Sequence, residues 1–193
     1  MLWVCKDLKS IAMAKPKQTL SRWLGALWGV AALAGIILQA LLKLWPIVGG
    51  SFYNPPTPAQ MIFCIGWILF MAYFEGYRGF QKSFAPRYAA RALHLKQSGN
   101  FQDLLAAPFF CMGFYAASKR TRIVAWALTG GISLLVLLVR ELPLPWRGLV
   151  DLGVIVGLTW GLVSVFYNVW IALILNRYPA DPDLKKETNP ASA

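Results

Sequence analysis

The segment from residue 73 to residue 96 carries the side chains best suited to chemistry in this sequence. Glu75 and Arg78 are three residues apart, and Arg87 and Arg91 are four apart, so each pair shares one face of a helix. Arginine guanidinium groups bind phosphate and carboxylate oxygens through paired hydrogen bonds. This pattern indicates a site for a head group or another phosphate-bearing ligand.

His94 is the only histidine in the chain. A single histidine excludes bis-histidine haem ligation and a multi-histidine metal site. Together with Glu75 it could perform acid–base chemistry, although a polar histidine at an interface is the more common case. We find no Walker A, HExxH or GxSxG motif. We therefore predict no catalytic residue, metal ligand or cofactor. The candidate ligand or head-group residues are Glu75, Arg78, Arg87, Arg91 and His94.

The element expected to carry these arginines is a short helix. Pro86 suits its first position, and Ser98–Gly99 suits its end after Gln97. Gly76 and Gly79 favour a bend before it. The pattern predicts a basic amphipathic helix on the inner leaflet, where each cation contributes about 1 kcal/mol of attraction to anionic lipid. Simple anchoring and a ligand site both fit, whereas no nucleic-acid reading motif is present.

The composition places the chain in a membrane. Of its 193 residues, 58% are hydrophobic and only 14% are charged, yet the net charge is +11. Soluble domains carry about 25% charged residues, and disordered chains are poor in apolar residues. A soluble nucleic-acid binder and a disordered chain are both excluded. The three cysteines form no metal or disulfide pattern and are expected to be small buried apolar residues.

Four long apolar runs account for this composition, over about 23–45, 57–75, 123–140 and 149–175. A hydrocarbon core of about 30 Å needs about 20 helical residues, and helices satisfy their own backbone hydrogen bonds in lipid. We predict an all-α integral membrane protein, with a four-transmembrane-helix bundle made of two hairpins in a single domain over 21–178.

The connection between the second and third spans is long, covering residues 76–122. It contains the amphipathic helix and an apolar stretch over 104–117, for which Asn100 is a suitable N-cap. That stretch is too short to span and is expected to be interfacial or re-entrant, with a strained fifth span as the alternative. We predict a cytoplasmic amphipathic and re-entrant insertion between helices two and three.

The basic residues predict the orientation. Sixteen of the 19 lysines and arginines precede the first span, lie between the second and third, or follow the fourth. By the positive-inside rule, both termini and the central insertion are cytoplasmic. Residues 1–20 and 179–193 are expected to be flexible tails. The N-terminus does not resemble a signal peptide, and Met13 is an alternative translation start to Met1.

Small residues mark the faces on which helices approach closely in lipid. The fourth span has three glycines spaced by four residues and an asparagine farther along, and the first span has two such glycines. Packing within the bundle is the first interpretation and a homodimer seam the alternative, and Gly157→Leu is expected to disrupt either. The predicted packing residues are Gly25, Gly29, Gly153, Gly157, Gly161 and Asn168.

Three function classes fit these features. The first is a non-catalytic accessory or scaffold protein of a bacterial-type inner membrane. It would bind anionic inner-leaflet lipid or a membrane-protein partner through its basic loop, or form a homo-oligomer, and it would not bind nucleic acid. The second is a membrane enzyme acting on a lipid or phosphorylated head group. The third is a small transporter or channel subunit, which the absence of charge at the centre of the predicted spans disfavours.

Overall fold

The structure is a computed structural model that describes residues 16–53, 55–98 and 101–184. It is 84% helical, and those residues include no strand. In the part of the chain that the structure describes, four helices are long and apolar enough to cross a membrane. The prediction of a helical chain with four helices of membrane-spanning length and composition is thereby confirmed.

Seven α-helices and one π-helical segment follow each other within the described residues. They are α1 (Pro16–Ser51), α2 (Pro58–Met71), the π segment (Ala72–Phe84), α3 (Ala85–Ser98), α4 (Phe101–Leu105), α5 (Ala107–Met112), α6 (Lys119–Arg140) and α7 (Trp146–Leu175).

Local sequence signals define several helix ends. At the start of α2, the Thr57 hydroxyl accepts from the Gln60 N–H at 3.4 Å, and the Gln60 side chain accepts from the Thr57 N–H at 2.8 Å. This capping box, with Pro58 directly after it, satisfies otherwise unpaired N–H groups. α5 ends at Gly113, whose φ of 88° is the left-handed conformation that glycine adopts without strain.

Three long helical rods form the core. α2, the π segment and α3 make one rod, with α7 parallel to it and α1 antiparallel to both. The Tyr88 hydroxyl donates to the Gly29 carbonyl oxygen at 2.7 Å, and the Arg22 guanidinium donates to the Gln97 carbonyl oxygen at 3.0 Å. These bonds align the N-terminal part of α1 with α3.

α3 lies at the centre of this core and not on a leaflet surface as the sequence predicted. Ala85, Ala89 and Ala92 have no exposed surface, and Tyr88 has 1%. The small alanine side chains let α1 and α7 approach α3 closely, so the helix is covered on several sides.

The connection after α3 is not one continuous helix over the apolar stretch 104–117, which was expected to be interfacial or re-entrant. It forms the two short helices α4 and α5, which pack against α1. The predicted N-cap Asn100 lies outside the described residues.

The two predicted tails are only partly described. Residues 16–20 belong to α1 and so are not part of a flexible tail. In the segment 179–184, Asp183 is held by hydrogen bonds given below. The remaining tail residues, 1–15 and 185–193, lie outside the described range.

α6 stands apart from the three rods. None of the residues in its most apolar stretch is buried where the structure describes the side chains. It meets the rest of the chain near its ends, for example where the Trp126 and Phe114 rings lie 5.0 Å apart. Within the described chain, the arrangement is three packed rods plus a separate helix, in place of the predicted packing of four.

Candidate functional site

The second predicted span does not end at Glu75, because the helical backbone continues through the π segment into α3. Gly76 and Gly79 do not break it. Gly76 instead permits a close contact with α7, since a Cβ atom at this position would lie 2.9 Å from the Trp160 ring. The π segment is thus packed directly on the middle of α7.

Hydrogen bonds fix how the central rod and α7 are aligned. The Trp67 indole N–H donates to the Val150 carbonyl oxygen at 3.0 Å, and the Trp160 indole N–H donates to Gln81 Oε1 at 2.8 Å. Near the C-terminal end of α7, Lys96 Nζ donates to the Leu173 carbonyl oxygen at 2.7 Å. The π segment is therefore level with the middle third of α7.

Glu75 points towards α7 in this arrangement. A Cβ atom at Gly157 would lie 2.6 Å from Glu75 Oε2. That oxygen is buried and has no hydrogen-bond partner among the described residues. Gly157 is the twelfth of the 30 residues of α7. The carboxyl group of Glu75 thus lies well inside the contact between the π segment and α7. From the sequence, no charged group is predicted at the centre of the spans.

Arg91 is a structural arginine. Its side chain is 1% exposed. Nη1 donates to the Phe110 carbonyl oxygen at 2.9 Å and to the Tyr115 carbonyl oxygen at 3.4 Å, and Nη2 donates to the Asp183 carbonyl oxygen at 2.8 Å. The guanidinium also lies over the Phe110 ring, 5.4 Å from its centroid. Its donors tie α5, the following turn and the C-terminal segment to α3.

Asp183 completes this attachment with its side chain. Its Oδ2 accepts hydrogen bonds from Thr121 Oγ1 and, at 3.0 Å, from Ser118 Oγ. The Thr121 hydrogen bond is the main cause that holds the pKa of Asp183 below its ordinary value. The Ser118 hydrogen bond and the positive charges of Arg91 and Arg87 also lower this pKa, whereas partial burial raises it. The carboxylate thus anchors the start of α6 to the segment after α7.

The other members of the predicted ligand set lie in different surroundings. Arg87 Nε donates to the Ser83 carbonyl oxygen of its own helix at 2.8 Å. The half-buried His94 ring stacks on the Phe110 ring, with centroids 6.1 Å apart. Arg78 is exposed on the π segment. The five predicted residues therefore occupy several separate environments and do not line one common pocket.

Both predicted glycine faces make close contacts with other segments of the same chain. A Cβ atom on Gly25 would lie 2.2 Å from the Leu104 side chain, and one on Gly29 would lie 3.2 Å from Cys111 Sγ. Gly153 packs against Trp67, and Gly161 packs against the Phe80 ring. The Asn168 side chain donates to the Ser164 carbonyl oxygen at 2.9 Å, within its own helix.

Sequence reasoning named Arg78 but not the polar surface that Arg78 forms with its neighbours on the π segment. Arg78, Gln81 and Lys82 are all exposed there, one helical turn apart, and we call them the basic face. Lys82 Nζ lies over the Tyr77 ring at 4.7 Å. Beside it is an open groove of about 790 Å³ along α7. The polar side chains that line the groove are Gln81, Thr159, Trp160, Ser164, Tyr167 and Asn168.

The described residues contain no cluster of three or more histidine, cysteine, aspartate or glutamate side chains that could hold a metal ion. Comparison of the chain with protein-family models, curated proteins and solved structures finds no match.

Proposed function

We propose that this chain is a multi-pass membrane protein that acts as a non-catalytic accessory or scaffold, and that it binds another membrane component through the basic face. The observation that carries the proposal is the position of this face beside the middle of α7. Arg78 and Lys82 are exposed at a level where the neighbouring helices present apolar side chains outward.

The apolar surface extends well beyond the basic face towards the C-terminal end of α7. There Val163, Phe166 and Trp170 are 64%, 49% and 66% exposed. On the adjacent part of α1, Leu24 and Trp28 are also more than half exposed. Large apolar side chains in such numbers need lipid around them. These side chains support a bilayer that reaches past the level of the basic face.

Cations at that depth need a partner. A lysine or arginine at the bilayer centre costs about 2.5–3.5 kcal/mol for insertion, and such residues are found facing protein or water and not lipid. Tyr77 gives Lys82 a ring face and a hydrogen-bonding partner but no carboxylate. A bound membrane component that covers the basic face removes this cost, which favours a binding function.

The same arrangement supports the predicted orientation. Arg22 near the start of α1 lies beside the end of α3, and Asp183 after α7 binds the start of α6. Both described chain ends thus lie at one end of the molecule, where basic residues are concentrated. We propose that this end faces the cytoplasm of a bacterial-type inner membrane.

Native mass spectrometry of the gently extracted protein tests the binding function. The wild type is expected to retain a component of defined mass, either lipid or protein. The double variant Arg78→Gln/Lys82→Gln is expected to lose it, because both cations of the basic face are removed. Arg120→Gln/Arg122→Gln is the matched control, since it removes two exposed cations from the start of α6. Absence of any retained component, or equal retention by the two double variants, would contradict the proposal.

A further inference from the structure

We infer that the component bound by the basic face is a transmembrane helix of a different protein, and that this helix carries an aspartate or glutamate within the bilayer. The inference rests on the proposed binding function and names its partner. It follows from three exposed hydrogen-bonding side chains beside a groove at mid-length of α7.

The basic face is suited to a carboxylate. Arg78 offers a planar set of N–H donors and Lys82 offers an ammonium group, one helical turn away. Gln81 Oε1 is already occupied by the Trp160 indole, so the amide nitrogen of Gln81 is directed to donate as well. Three donors and two positive charges are complementary to one carboxylate, and their attraction strengthens in a low-dielectric surrounding.

A lipid head group does not fit the depth of this site. Gly161, which packs on Phe80 next to Gln81, is 15 residues from Trp146 and 14 from Leu175. At 1.5 Å per residue, this point is about 22 Å from either end of α7. Lipid phosphates lie at the membrane surface, whereas a side chain of a spanning helix reaches any depth.

A second copy of this chain does not supply the carboxylate either. Among the described residues, the long apolar helices contain only two acidic groups inside their bounds, Glu75 and Asp151. Glu75 is directed against Gly157, and Asp151 is 5% exposed beside Arg147, with Nε and Oδ2 3.8 Å apart. Both turn inward, so the complementary acid must come from another protein.

The groove beside the basic face provides room for a helix. It extends along α7 from Ile155 to Asn168, which corresponds to about 20 Å of helix. Its hydroxyl, amide and aromatic groups give a mixed polar and apolar wall. A partner helix lying along this wall would place one side chain against the basic face.

The experiment uses a synthetic transmembrane peptide of leucine and alanine, about 20 residues long, with one central aspartate. Two otherwise identical peptides carry asparagine or leucine at that position. Energy transfer between labelled peptide and labelled full-length protein is measured in phosphatidylcholine liposomes. We expect the aspartate peptide to bind about tenfold more tightly than the asparagine peptide. Arg78→Gln/Lys82→Gln should abolish this preference, and Arg120→Gln/Arg122→Gln should retain it.

Four results would overturn the inference. One is equal binding of the aspartate and asparagine peptides. Another is a preference that survives loss of both cations. The third is loss of the preference on adding phosphatidylglycerol, which would assign the site to anionic lipid. Protein–protein energy transfer that depends on Arg78 and Lys82 would assign it to a second copy, against the inference. In each case, cation-dependent retention in the native mass spectrum would leave the binding function standing.

Discussion

Replacing Arg91 by methionine is expected to lower the free energy of unfolding by about 3 kcal/mol or more. Methionine fills much of the same volume but donates no hydrogen bond. The carbonyl oxygens of Phe110, Tyr115 and Asp183 would each lose a donor. A hydrogen bond to a charged group contributes about 1.5–3 kcal/mol. The Phe110 and Asp183 oxygens keep a second donor each, the N–H groups of Gly113 at 3.1 Å and Ser118 at 3.2 Å. The substitution also removes the cost of burying the Arg91 charge. The expected loss of unfolding free energy is therefore smaller than the summed contributions of the three hydrogen bonds.

Thermal unfolding in detergent measures this effect. For a chain of this size, 3 kcal/mol corresponds to a fall in Tm of about 10 °C. Arg91→Lys should give an intermediate value, because one ammonium group cannot serve three carbonyls in the geometry of a guanidinium. Arg87→Met is the matched control, since the Arg87 bond runs within its own helix. A Tm for Arg91→Met equal to that of Arg87→Met would show that Arg91 does not hold these segments together.

Gly161→Leu is expected to separate the central rod from α7. A Cβ atom at this position would lie 2.5 Å from the base of the Phe80 ring. The ring packs edge-on against the Phe84 ring, with 5.5 Å between the two centroids. Overpacking of this kind costs about 1–3 kcal/mol for small insertions, and a leucine side chain exceeds that case. Gly157→Leu is less decisive, because its first contact is the flexible end of Glu75.

Gly130→Leu is the control for this substitution. A Cβ atom at Gly130, in the middle of α6, meets no atom within 4 Å. The change should be neutral or slightly stabilising, because leucine favours helix over glycine by about 1 kcal/mol. Thermal unfolding and detergent-solubilised mass are compared for the two variants. Equal stability of Gly161→Leu and Gly130→Leu would show that the glycine face of α7 is not a close-packing surface.

The long apolar helices could be predicted from the sequence because their signal is local. Each predicted span lies largely within one long helix, and the start of α3 near Pro86 was also foreseen. The prediction that the second span ends at Glu75 was wrong for the helix itself. Hydropathy falls sharply at that residue, but backbone helicity depends on packing against α7 as well as on local composition.

The structural role of Arg91, in contrast, could not be predicted from the sequence. Its spacing from Arg87 resembles a basic helix face, and only tertiary structure shows that three backbone carbonyls from distant segments surround it. The alanines on α3 were the available signal for burial. Their small side chains indicate close helix contact at least as well as they indicate the apolar side of a surface helix.

The basic face escaped prediction for a related reason. Arg78, Gln81 and Lys82 were assigned to a cytoplasmic loop because they follow an apolar run. Their depth depends on the alignment of the central rod with α7, which the bond from Trp160 to Gln81 fixes. Because Trp160 and Gln81 are 79 residues apart, no local sequence pattern predicts this alignment.

The depth of the basic face in the bilayer is the central claim, and a spin label on α7 measures it most directly. Val163→Cys places a nitroxide on an exposed position, less than one turn from Trp160. Cys5 is replaced by serine, while Cys64 and Cys111 are buried. Relative accessibility to oxygen and to a water-soluble nickel complex reports depth, with Gly131→Cys marking the middle of α6 and Lys119→Cys its end. We predict that the label at 163 has the depth of the label at 131. A depth equal to that at 119 would place the basic face outside the bilayer and contradict the account.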